Sequence, residues 1–174
     1  MPSTYELISS NTLATSTGTV TFSSIPGTFT DLLLKVSVRS TLGAGEVVSF
    51  RIIVNGDEGA VNTYYSRTTL SGNGSTASSS RSSSIAPWIF AEGTTANAAT
   101  SNTFSNNEYY IPNYASSNAK VLGSFQASEN NSTTTYINAI AGLYRGTTAI
   151  TQLACTGTTF AAGSSFYLYG ISKS

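Results

Sequence analysis

Hydrophobic and polar residues alternate with a period of two along much of the chain, the period at which strand side chains fall on opposite faces of a sheet. In residues 31–39, Leu32, Leu34, Val36 and Val38 share one face, and Leu33, Lys35, Ser37 and Arg39 share the other. A Leu42-Gly43-Ala44-Gly45 turn follows. The next run puts Val48, Phe50, Ile52 and Val54 on one side with Arg51 opposite, and ends at Asn55-Gly56-Asp57, a strong turn signal. These runs predict two strands whose Leu32, Leu34, Val36, Val38, Phe50, Ile52 and Val54 face a core.

Weaker alternation marks further strands at 19–22, 63–70, 85–90, 108–111, 120–127, 133–145, 149–155 and 165–171. Pro87 demotes the third of these towards a sheet edge. In 120–127, Val121, Gly123 and Phe125 oppose Leu122, Ser124 and Gln126. In 133–145, Ile137, Ala139, Ala141 and Leu143 share a face, and Arg145-Gly146-Thr147-Thr148 reads as a hairpin turn after which 149–155 pairs back. No helical pattern exceeds a turn. About nine or ten strands at this spacing predict an all-β, two-sheet sandwich of jelly-roll type, with a Greek-key sandwich of other topology as the alternative. The chain is expected to be a single domain, residues 1–174. Residues 71–84, SGNGSTASSSRSSS, have no means of building a core and are expected to form an exposed, mobile loop.

Composition sharpens this picture by exclusion. Charged residues make up 9% of the 174, against about 25% in an average domain, while Ser and Thr supply nearly a third. Eight Lys and Arg balance eight Asp and Glu, so no basic field holds phosphates and no nucleic-acid partner is expected. With no His and one Cys, the chain lacks a Ser-His-Asp or Cys-His pair, a His metal ligand and an intrachain disulfide. The opening MPSTYELISS has neither a charged n-region nor an apolar h-region and is not read as a signal peptide. No uncharged apolar run approaches the ~18 residues of a membrane-spanning helix, and no membrane partner is expected. Scarce charge also leaves few Lys or Glu residues to guard sheet edges, which then need cover.

Little chemistry survives on the remaining residues. Asp57 and Glu58 are adjacent carboxylates, but in a turn; Glu92 and Glu108 flank a polar stretch. Glycoside hydrolysis needs two facing carboxyls, and nothing in the spacing brings a pair together. Asn55 and Asp57 with backbone carbonyls suit a weak Ca²⁺ site less well than an Asx-closed turn. Cys155 alternates in phase with Leu153 and reads as a small buried hydrophobe. No motif selects a Ser to pair with Lys35, Lys120 or Lys173. Trp88, Tyr109, Tyr110 and Tyr114 suit either a sugar platform or a core and subunit interface. The expectation is therefore no catalytic residue, no metal and no cofactor.

Several stretches carry a resemblance. Tyr5-Glu6-Leu7-Ile8, then Phe22-Ser23-Ser24-Ile25-Pro26-Gly27-Thr28-Phe29-Thr30-Asp31-Leu32 leading into a strand that ends at Arg39, is similar to the start of small virion proteins of tailed bacteriophages. Arg51-Ile52-Ile53-Val54-Asn55-Gly56-Asp57, Tyr64-Tyr65-Ser66-Arg67 and the closing 160–171 stretch resemble them too. The resemblance implies a β-sandwich decoration (cement) protein that binds the major capsid protein on the outer surface of the head, or else a head or tail appendage that binds a receptor or glycan. A homo-oligomer, and a trimer in particular, is expected: a closed ring covers charge-poor edges without open-ended growth, and capsid lattices offer three-fold positions.

Overall fold

The computed structural model describes residues 4–58, 65–85 and 88–172. Twelve strands form two antiparallel sheets, and no helix occurs among the described residues. The strands are β1 (Tyr5–Thr12), β2 (Thr17–Phe22), β3 (Asp31–Val38), β4 (Val47–Val54), β5 (Tyr65–Gly72), β6 (Ala77–Ile85), β7 (Trp88–Thr95), β8 (Ser105–Pro112), β9 (Lys120–Ala127), β10 (Ile137–Tyr144), β11 (Leu153–Phe160) and β12 (Ser165–Ile171). The large sheet runs β1-β12-β3-β8-β9-β10-β5-β6 and the small one β2-β11-β4-β7. Set aside β5, β6, β9 and β10, and the pairs β1·β12, β2·β11, β3·β8 and β4·β7 nest from the outside inwards. That nesting is a jelly roll. The two extra hairpins, inserted between β4 and β7 and between β8 and β11, join side by side and widen the large sheet.

Alternation places the core as expected. Leu32, Leu34, Val36, Val38, Phe50, Ile52 and Val54 are all buried, none above 2% exposure. They meet Phe166, Leu168, Tyr109 and Ile111 from the flanking strands β12 and β8. Edge-on aromatic contacts knit the two sheets, with Phe160 centred 5.4 Å from Phe50 and 5.1 Å from Phe166. Arg39, at the end of β3, closes the 97–103 loop. Its guanidinium donates to the carbonyls of Asn97, Ala99, Thr100 and Thr103 at 2.8–3.2 Å.

Three expectations need correction. The strand count is twelve because β1 and β6 carry no alternation that marks them. Residues 71–84 are largely exposed and form a hairpin, as expected, but most of the stretch is paired strand rather than loop. They complete β5, turn at Asn73, and run back as β6, paired from Tyr65↔Ile85 to Gly72↔Ala77. The Asn73 side chain makes the turn by accepting from the Ser75 and Thr76 amides at 3.1 and 2.8 Å. Backbone pairing builds β6, so serines suffice. Nor does the chain pair back after β10. β10 lies between β9 and β5, whereas β11 sits in the other sheet between β2 and β4, so 145–152 is a crossover. Two side chains hold it. The Asn55 carboxamide accepts from the Thr151 and Gln152 amides at 2.9 and 3.1 Å. Lys120, almost wholly buried, donates to the Ser116, Gly146 and Thr148 carbonyls at 2.9, 3.2 and 2.6 Å.

Candidate interaction face

The residues weighed for chemistry are kept apart by the fold and engaged in structural contacts. Asp57 sits in the turn after β4, its amide bonded to the Val54 carbonyl at 2.8 Å, and Glu58 is exposed beside it. Glu92 pairs with Arg67, and Glu108 pairs with Lys35 at 2.8 Å. Asn55 is occupied by the crossover, and among the described residues no cluster of three or more acidic or Cys side chains can hold a metal. Cys155 is buried, and burial pushes its thiol up to about 12, so it stays a thiol. Lys120 bonds the carbonyl of Ser116, not its hydroxyl. Lys173, Tyr64 and the Trp88 side chain lie outside the described residues. Tyr109 and Tyr114 are buried. Burial raises both phenols above their ordinary value, and the Tyr114 hydroxyl donates to the Pro26 carbonyl. Of the rings weighed between a sugar platform and a core or interface, only Tyr110 is described and exposed.

What the structure assembles instead is an apolar surface. Among the described residues, eight large hydrophobic side chains are exposed, and all but Leu42 lie on the outer face of the large sheet: Tyr5, Leu7, Leu70, Tyr110, Val121, Phe125 and Ile137. Register shows why they converge. Glu108, Phe125, Ala139, Leu70 and Ser79 are successive partners across β8, β9, β10, β5 and β6. One step along the strands, Leu33, Tyr110, Gly123, Ala141, Thr68 and Arg81 form the next row. The apolar set of β10 identified by alternation, Ile137, Ala139 and Ala141, therefore faces out. Small residues floor the middle of the face and larger ones stand above them. Between Leu70, Gly123, Ala139 and Ala141 lies an open hollow of about 390 Å³, and a second of about 270 Å³ lies between Leu70, Phe125 and Ile137.

The opposite side of this extension is mixed: Tyr65, Leu122, Ile140 and Tyr144 join the core, and polar side chains stand among them. β7, the edge of the small sheet, lies under β8, β9 and β10, and three polar side chains from the extension converge on its Glu92. Arg67 pairs with the carboxylate, the Gln126 carboxamide accepts from the Glu92 amide at 3.1 Å, and Asn138 donates to its carbonyl. Gln126 and Asn138 are 2% exposed. Next to them Gly93 has φ +97°, and a Cβ there would lie 2.7 Å from the Tyr136 side chain, so glycine is required where this hairpin seats. A polar attachment helps hold the extension, and its outward positions carry further apolar side chains.

Towards β1 the face changes character. Tyr5, Leu33 and Tyr169 surround the Lys35–Glu108 pair in a hollow of about 360 Å³. Tyr110 donates to the Asp31 carboxylate at 2.6 Å, and that contact raises the phenol to about 12. Chemically this half offers aromatic faces with hydroxyls and a slight excess of carboxylate, and the β9–β10–β5–β6 half offers aliphatic knobs, small-residue hollows and one cation. Comparison with protein-family models, curated proteins and solved structures finds no match.

Proposed function

We propose that the chain is a non-enzymatic structural subunit of a tailed-phage virion, a decoration or cement protein that binds the major capsid protein on the outer surface of the head. One observation carries the adhesive part of this reading. Among the described residues, seven of the eight exposed large hydrophobic side chains lie on one face of one sheet, and contiguous apolar surface of this kind marks interaction sites. The virion assignment leans on the resemblance of the 5–8, 25–39, 51–57 and 160–171 stretches.

The mechanism is linkage. A subunit that binds only the assembled shell stabilises it by RT ln(1 + [L]/Kd), and many copies on a lattice add avidity. A homo-oligomer matched to a three-fold position, a trimer, engages several capsomers at once. Contacts built from apolar area, hydroxyls and backbone rather than charge depend little on salt. No cofactor, nucleic acid or membrane takes part.

Electron microscopy of the parent particle, with and without this chain, tests the proposal. Regular density on the outer head lattice that disappears when the chain is removed is the expected result. Density at the tail would replace this reading with that of an appendage binding a receptor or glycan, and absence from the particle would overturn both.

A further inference from the structure

The outer face of the large sheet has two unlike halves. On β9–β10–β5–β6, Leu70, Phe125 and Ile137 stand beside hollows floored by Gly123, Ala139 and Ala141, and the one charge facing outward is Arg81, paired across from Thr68. On β1–β12–β3–β8 the outward side chains are Tyr5, Leu7, Leu33, Tyr110 and Tyr169 with Asp31, Lys35 and Glu108. Two carboxylates against one ammonium leave that half with an excess of one negative charge, and Arg81 leaves the other with one positive charge. Each half is apolar, and their charges are opposite.

We infer that these halves bind each other between copies of this chain: β9–β10–β5–β6 of one copy seats on β1–β12–β3–β8 of the next, head to tail, and the contacts close a ring. The inference rests on the reading of the chain as an assembled structural subunit and adds to it the surface used for assembly. Opposite charge selects this pairing. Like halves facing like would bring Arg81 towards Arg81, whereas the unlike arrangement brings Arg81 towards the Asp31 and Glu108 side, and like-charge juxtaposition is what suppresses wrong partners. Area argues for closure. A half-sheet four strands wide and eight residues long covers about 15 by 25 Å, below the ~800 Å² per partner of standard interfaces. A copy in a closed ring is held by two such contacts, and closure strengthens each of them. Head-to-tail contacts that do not close grow as filaments, so a ring is the arrangement compatible with a discrete subunit.

Two variants separate this from other arrangements. Phe125→Asp disables the aliphatic half and Leu7→Asp the tyrosine half; both positions are about half exposed, and circular dichroism checks that each variant folds, with Phe125→Ser and Leu7→Ser in reserve. Light scattering at micromolar concentration then reads the mass. The expected results are a closed oligomer for the wild type, at three times the 18.1 kDa chain mass in the trimer form, a monomer for each variant alone, and a weak one-to-one complex when the variants are mixed at the highest concentrations reached, since each supplies the half the other lacks and one contact alone holds them. A monomeric wild type overturns the inference. So does a Leu7→Asp variant that keeps the wild-type mass, or a mixture that stays monomeric even at those concentrations. A ring that forms in solution but is absent from the head would overturn the decoration reading alone, and a monomer found on the head would overturn this inference alone.

Discussion

The two halves of the large sheet obey the same alternation and differ in how their inner faces are filled. In β3, Leu32, Leu34, Val36 and Val38 point inward to the small sheet, and the outward positions include Asp31, Lys35 and Ser37. In β10 the inward positions are Asn138, Ile140, Gly142 and Tyr144, of which Ile140 and Tyr144 join the core, and Ile137, Ala139 and Ala141 point out. The small sheet has four strands against eight, so it cannot cover the whole of the larger one, and β1 is exposed along almost its full length. Over β3 and β12 the inner face is filled by apolar side chains. Over the extension it mixes the core residues Tyr65, Leu122, Ile140 and Tyr144 with the polar Arg67, Gln126 and Asn138 that fasten to Glu92, and further apolar residues stand on the outer side. Burial by a partner layer, rather than alternation, assigns the faces.

The comparison breaks most sharply in the covered half. Leu34→Ala removes a side chain at 0% exposure and is expected to destabilise the fold by about 4 kcal/mol, the transfer loss plus the cavity. Urea unfolding measures it, and a loss below ~1 kcal/mol would mean that the β3 core is not packed as described. Lys120→Met, at the start of the extension, strips three carbonyls of their donor. The expected cost is about 2 kcal/mol, since three part-buried carbonyls lose a charged donor; the same denaturation experiment reads it.

Alkaline pH probes both halves at once. Burial raises the Tyr65, Tyr109 and Tyr114 phenols above 10.0, so the folded state keeps protons that the unfolded chain gives up. Stability should be intact below pH 10 and fall above it, by about 1.4 kcal/mol per pH unit for each such group. Absorbance at 295 nm should show these tyrosines ionising only on unfolding, and free titration of all ten tyrosines in the native state would refute their burial. Lys120 works in the opposite sense. Burial lowers it from 10.5, so its contribution rises with pH as the unfolded chain approaches that value, and Lys120→Met should remove this rise. The smallest effect belongs to the exposed face. Phe125→Ala should change monomer stability by no more than ~0.5 kcal/mol, as surface substitutions do, and a loss near that of Leu34→Ala would place Phe125 in a core.

Much of this was legible in residue order. The β3, β4, β9 and β12 runs alternate cleanly enough to place their strands within a residue of the observed bounds and, for β3 and β4, to name the core. The apolar face was legible only in part. β9 and β10 show apolar residues on both parities, Val121 and Phe125 against Leu122, Ile137 against Ile140. Such a strand has something to bury on each side, and that is the signal that points to a second contact surface. β6 left no signal, because nine residues that include six serines have no hydrophobic period, and its strand exists by pairing with β5. The four aromatics weighed for a platform scattered for a related reason. Tyr109 and Tyr110 are neighbours in sequence and so lie on opposite faces, one in the core and one outside.

Local chemistry in the sequence by itself determined the fold class: β-strands from period-two alternation and β-branched and aromatic residues, turns from Asn and Gly, with no His and one Cys among the functional groups. Only the tertiary structure decided which strands share a sheet, that 145–152 crosses between sheets instead of turning back, and which side of β9 and β10 is covered. Those choices depend on contacts between residues up to a hundred or more positions apart, as when Asn55 receives the amide of Thr151. A period of two states that a strand has two faces, and it is the layer packed against one of them that makes the other a surface.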